Sequence, residues 1–203
     1  MYYPDSPTPV SPDFLKKIDQ DAPGTWIAQP KMDGHRKICA FNGSTWHVSG
    51  KKGGTGEHSK IPAEIMADLL DGYWPDGIVL DCELVGPRMI EHTAGKNMLI
   101  VFDVLSIPKA IKESTFIERI MYMNAIMDGI DPTGTIQRSI HWYNPGLFDR
   151  FQEQMTNPLS EGLVVRRADS RHLMGRNGCK TNPHCLKIKY RNIREQTHVK
   201  EQP

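Results

Sequence analysis

Residues 98–105 read M-L-I-V-F-D-V-L and are apolar at every position except Asp103. A run this short, and this rich in large apolar side chains, suits a strand covered on both faces. It falls far short of the roughly 20 apolar residues that span a bilayer. Residues 77–85, G-I-V-L-D-C-E-L-V, form a second candidate of the same kind. Strand side chains alternate, so Asp81 and Glu83 share one face of it.

Around these two runs the chain alternates strand-like and helix-like segments in mixed order, which suggests an α+β fold rather than a regular β-α alternation. Residues 1–10 are proline-rich and predict an extended lead-in. Ser11 is placed to cap a short helix with Pro12 in its first turn and Phe14, Leu15 and Ile18 on one face. Strands are expected at 25–29, 36–41 and 45–49, with Asn42-Gly43-Ser44 turning between the last two. The first two put K-M-D-G, residues 31–34, in a tight strand-to-strand turn. Helices follow at 61–70, stopped by Asp71-Gly72, at 114–127 and at 147–154. Further strands are expected at 136–142, 162–166 and 185–190. A domain over 11–190 and a basic tail or truncated linker over 191–203 complete this division.

Length and composition bound the function. A chain of 203 residues, 38% hydrophobic and 24% charged, can bury a substantial core and is typical of globular proteins. The N-terminus has neither the basic start nor the apolar middle of a secretory signal, so an intracellular protein with no membrane partner is expected, cytoplasmic in a bacterial, phage or viral setting and with a nuclear one left open. Four scattered cysteines do not make a disulfide framework, and Cys179, His184 and Cys185 lack the spacing of a zinc site. The net charge is only +1, yet residues 166–203 carry an excess of +7 and the preceding residues −6. Such a basic end suits a polyanionic partner.

Five short strings carry candidate chemistry: K-M-D-G-H-R from Lys31 to Arg36, D-C-E from Asp81 to Glu83, Phe102-Asp103, Glu161-Gly162, and K-I-K from Lys187 to Lys189. Together and in this order they resemble the motifs of the covalent nucleotidyltransferases, the superfamily of ATP-dependent DNA ligases, RNA ligases and mRNA capping guanylyltransferases. The resemblance spans residues 25–190. It implies a nucleotidyltransferase, ATP-grasp-like core of mainly antiparallel sheets flanked by helices. Only thirteen residues follow Tyr190, too few for the C-terminal OB domain that many of these enzymes carry, so none is expected within the chain.

The implied reaction uses ATP and Mg²⁺ or Mn²⁺. Lys31 attacks the α-phosphorus to give a lysyl-nucleotide, and AMP then passes to a 5′-phosphate to seal a nick. The resemblance gives Gln29 the base edge, Phe102 the base face, Arg36 the ribose or a phosphate, and Glu83 a ribose hydroxyl or the metal. Glu161 becomes a metal ligand, and Lys187 and Lys189 face the phosphates and favour the neutral amine of Lys31. Asp33 orients the turn, and Gly34 lets the backbone approach the nucleotide. Lys51 or Lys52, where ligases carry an arginine, and Arg166 are expected to contact nucleic acid. Nicked duplex DNA is the first choice of substrate, with RNA the alternative and an OB-fold domain or partner protein as a possible helper. A GTP-using capping enzyme and a catalytically idle nucleotide- or nucleic-acid-binding module are the remaining readings.

Overall fold

The apolar run at 98–105 becomes an interior strand of a sheet, but the strands beside the K-M-D-G string do not all join it. The structure, a computed structural model, describes residues 6–50, 60–86, 96–106, 113–129, 134–171 and 181–190. Lys51, Lys52, Cys179 and the tail 191–203 lie outside the described residues.

The strands in chain order are β1 (Ser6–Pro9), β2 (Trp26–Met32), β3 (His35–Phe41), β4 (Trp46–Gly50), β5 (Val79–Val85), β6 (Met98–Ser106), β7 (Ile136–Arg138), β8 (Trp142–Tyr143), β9 (Ser160–Arg167) and β10 (Thr181–Lys189). They form two five-stranded sheets, ordered β1-β10-β9-β2-β8 and β4-β3-β5-β6-β7. Pairing is antiparallel except for β1 with β10 and β6 with β7. With four helices among the described residues this is an α+β fold.

Helices cover each sheet where their apolar faces require it. Helix α2 (Ala63–Asp71) buries Ile65 and Leu69 against Trp46 and Leu80 of the second sheet and Trp74 of the connection that follows the helix. It stops at Gly72, where a Cβ would lie 2.6 Å from the Trp74 ring nitrogen. Helices α1 (Asp13–Ile18) and α4 (Leu147–Gln154) cover the first sheet, burying Leu15, Ile18, Leu147 and Phe151 on Leu163 and Ile188. Asp19 joins these two helices by accepting hydrogen bonds from the backbone N–H groups of Gly146, Leu147 and Phe148, which satisfies the free N-terminal donors of α4. Helix α3 (Phe116–Met127) lies across both layers. Its Met123 and Met127 enter the core of the second sheet, while Phe116 and Ile120 pack on Ile27 of the first. Thr115 and Glu118 close a capping box at its start.

Three sequence expectations change. Ser11 does not cap α1 through its side chain; the helix opens at Asp13, and the backbone carbonyl of Ser11 accepts the Phe14 N–H instead. The lead-in is partly sheet, since β1 pairs with β10 as an edge strand, where Pro7 and Pro9 are tolerated because an edge needs fewer donors. The single strand expected at 136–142 is two strands in different sheets: β7 pairs with β6, the chain crosses at residues 139–141, and β8 pairs with β2. Among the described residues no helix is long and apolar enough to cross a membrane.

Candidate functional site

Strand β9 runs between β2 and β10, and its register fixes the site. Gln29 pairs with Val164, which pairs with Lys187; one step along, Lys31 pairs with Gly162, which pairs with Lys189. Directly paired residues share a face. A cavity of about 600 Å³ is walled on this side by Gln29, Lys31, Val164, Lys187 and Lys189. The facing wall comes from the second sheet. Arg36 pairs with Glu83 and Glu83 with Ile100, and all three line the same cavity, as does Phe102. Lys31 is thus the last but one residue of β2, and the turn proper is Asp33-Gly34, which carries the chain from one sheet to the other.

Glu161 joins the two lysines. Its Oε1 accepts a hydrogen bond from Lys31 Nζ and its Oε2 accepts one from Lys189 Nζ at 2.5 Å. The ladder is irregular here. The β2–β9 register shifts after Lys31, and Gly162 has φ +150°, where a Cβ would fall 1.8 Å from the Ile188 carbonyl oxygen. Only glycine fits. Partial burial disfavours the Glu161 charge, but the hydrogen bonds from Lys189 and Lys31 more than offset it, so the carboxylate is held below its usual range.

Glu83 behaves oppositely. Burial pushes it up to about 7, the Lys31 and Arg36 cations pull it down, and the Asp81 and Glu161 carboxylates push it up again. Among the described residues no group of three or more His, Cys, Asp or Glu side chains is gathered to hold a metal ion; Glu83 and Glu161 are hard oxygen donors of the kind that suits Mg²⁺.

Phe102 owes its position to a bulge. Asp81 pairs with Asp103 and Cys82 with Val101, which leaves Phe102 as the extra residue of β6. Its carbonyl accepts a hydrogen bond from Gln29 Nε2 at 2.8 Å. The Arg36 guanidinium lies 5.4 Å from its ring centre.

The architecture can be compared with known proteins once these positions are fixed. No protein-family model and no curated protein matches the sequence. Solved structures match almost the whole chain. Mycobacterial DNA ligase D complexed with ATP and MES superposes with a TM-score of 0.65 at 17% identity, over 93% of this chain and 60% of that one. The ATP-dependent DNA ligase of bacteriophage T7 in complex with ATP gives 0.57 at 15% identity, over 92% of this chain and 68% of that one. The chain shares the fold of the matched portion of these ligase structures. An RNA ligase variant from Naegleria gruberi with ATP and Mn shares it, at 0.55 and 15% identity over 96% of this chain and 59% of that one. The chain spans about three fifths of the length of the mycobacterial ligase chain.

Within this fold several of the expected site residues are bound to the protein itself. Arg36, expected to fork onto a ligand, lines the cavity and is held by Asp81: Nε donates to Oδ1 at 2.7 Å and Nη2 donates to Oδ2. Burial disfavours the guanidinium charge, and Asp81 more than offsets this, raising its pKa. Arg166, expected to contact nucleic acid, is 3% exposed and lines the cavity. It is pinned by Asp103 Oδ2 at 2.5 Å and by Cys185 Sγ at 3.1 Å. The close approach at Gly34 is to the protein itself, since a Cβ there would sit 2.3 Å from the Leu84 carbonyl oxygen.

Two features escaped the sequence reading. Asp103 receives Arg119 from α3 as well as Arg166 from β9, with both guanidiniums buried, and so ties the two sheets and α3 behind Phe102. The lone acid in an apolar run was its signal. The second feature is His141, at the crossing between sheets, whose Nε2 lies 2.8 Å from Gln29 Nε2. A single histidine in a polar stretch gave no signal.

Proposed function

We propose that the chain is the nucleotide-accepting core of an ATP-dependent polynucleotide ligase, with Lys31 as nucleophile and nicked duplex DNA as the first candidate substrate. The observation that carries this reading is the Lys31–Glu161–Lys189 bridge at one end of a cavity whose other end holds Gln29 and Phe102.

The chemistry follows from what each side chain can do. The Lys31 amine must lose a proton before its lone pair can attack an α-phosphorus, and Glu161 is the acceptor already bonded to it. A P–N bond forms as the P–O bond to pyrophosphate breaks. Lys187 and Lys189 offset the charge gathering on the phosphate oxygens, in a partly buried cavity where such contacts act more strongly than in water. Phe102 offers a face for a base and Gln29 its edge. Glu83 and Glu161 would hold a divalent ion, which would supply further charge neutralisation at the phosphates when bound. In the second half of the reaction the nucleotide leaves Lys31 for a 5′-phosphate, because a protonated amine is a good leaving group.

The test is direct. The protein is incubated with Mg²⁺ and α-labelled ATP or GTP, denatured, and examined for acid-labile label on the chain. Label from ATP that is absent in Lys31→Ala supports the reading; label only from GTP points to a capping activity, and none from either to a binding module. Nicked duplexes built from DNA or RNA strands then identify the acceptor.

A further inference from the structure

The Gln29 amide has two N–H donors and one acceptor oxygen, and both donors are committed. One goes to the Phe102 carbonyl oxygen at 2.8 Å, the other to His141 Nε2 at 2.8 Å. An amide nitrogen already donating to a carbonyl cannot accept, so the ring nitrogen it meets must carry the lone pair. That fixes His141 as neutral, with its proton on Nδ1. The register supports the pairing. Ala28 pairs with Trp142, which brings His141 opposite Gln29 just beyond the end of the β2–β8 ladder. What remains of the amide at the cavity wall is Oε1, an acceptor, on a residue only 2% exposed.

Resting on the nucleotide-site reading above, we propose that His141 is a positioning residue. It holds the Gln29 amide in the one orientation that presents oxygen to the cavity, and so selects a base with an exocyclic amine at its six-position over one with a carbonyl there. Turned over, the amide would set its oxygen against the Phe102 carbonyl and its nitrogen away from it, which is repulsive. His141 adds to that restraint by taking the second N–H. Without it, one N–H is left unpaired in a buried wall and the Phe102 carbonyl alone restrains the amide, which can then swing to offer its nitrogen to a base carbonyl. Burial pushes His141 down to about 4; Asp103 raises it and Arg138 lowers it, so the ring is neutral at pH 7 as the hydrogen bond requires.

The probes are ATP and inosine triphosphate, which differ at the six-position by amine against carbonyl. Binding is measured directly in the Lys31→Ala protein, so that no covalent step intervenes. The expected preference for ATP is about tenfold, the scale of one buried hydrogen bond gained against one left unmade. Adding His141→Leu should erase it, or His141→Phe where the leucine variant does not fold. His141→Gln, whose amide oxygen can accept as the ring nitrogen does, should keep it. Gln29→Leu should erase it too, and His141→Leu on top of Gln29→Leu should change nothing more. A parent protein without base preference, or a His141→Leu variant that weakens both nucleotides equally, overturns the proposal. A protein that binds neither nucleotide overturns the nucleotide-site reading and this inference with it. Clear base preference without any label on Lys31 in the wild-type chain overturns the transfer chemistry alone.

Discussion

Asp103→Asn should be among the most damaging isosteric changes in this protein. The carboxylate is buried, its side chain 0% exposed, and receives Arg119 Nε at 2.9 Å and Arg166 Nη1 at 2.5 Å, from side chains 1% and 4% exposed. Asparagine keeps the volume and one acceptor oxygen but removes the only charge that these ion pairs place between two buried guanidiniums. Removing one partner of a buried pair costs about 3–5 kcal/mol, chiefly because the charge left behind is uncompensated, and here two are left. The upper end of that range, about 5 kcal/mol, is expected. Domain stabilities lie at about 5–15 kcal/mol, so the loss takes a third or more of the total. For a chain of this size it corresponds to a fall in Tm of roughly 10–20 °C. Urea unfolding followed by tryptophan fluorescence reads it, through the shift of midpoint at constant slope. Replacing all three residues together, Asp103→Leu with Arg119→Met and Arg166→Met, should recover most of the loss, because no charge then remains buried. A single Asp103→Asn that costs under about 1 kcal/mol refutes the reasoning, since the guanidiniums would then have solvent or another counter-charge within reach.

Other perturbations test other parts. Gly162→Ala, whose Cβ would meet the Ile188 carbonyl at 1.8 Å, should force β9 and β10 apart and abolish labelling of Lys31, with a lowered Tm as the independent reading. Phe102→Ala should weaken ATP binding by about 1–3 kcal/mol, roughly 5- to 150-fold, if the ring stacks on the base; an unchanged Kd refutes that role. For His141 the folded-state pKa, about 4, lies below the ordinary 6.5. The unfolded chain therefore binds the extra proton first, and the stability owed to the neutral ring is intact above 6.5 and lost as the pH falls from 6.5 towards 4. The slope is at most about 1.4 kcal/mol per pH unit from this group. His141→Leu should flatten the profile in that window, and an unaltered profile excludes His141 as its source.

Much of the fold was readable because local signals agreed with it. The helix at α4 follows from apolar spacing alone, and α2 ends where Asp71-Gly72 says it should. Residues 98–105 and the core of 77–85 form strands because nothing but two-sided burial suits them. The partition into two sheets was not readable. Strands β2 and β3 are separated by two residues yet belong to different layers, and nothing in their alternation records this. The same limit hid the fate of Arg166. Period-two spacing tells which residues share a face, but not whether that face meets solvent or an aspartate from the opposite sheet. In the candidate site, motif order brought Lys31, Glu161 and Lys189 into view together. His141 stayed hidden because its meaning depends on a partner 112 positions away.

The pairing of Lys31 and Lys189 across Gly162 has a further bearing on how this surface can change over time. The separation of their α-carbons is two inter-strand spacings, roughly 10 Å, and is set by backbone hydrogen bonds rather than by the side chains around them. Substitutions elsewhere in the protein can therefore drift widely without altering this gauge. A one-residue insertion or deletion within β9 would shift it at once, so length changes should be confined to the connecting loops while that strand keeps its count.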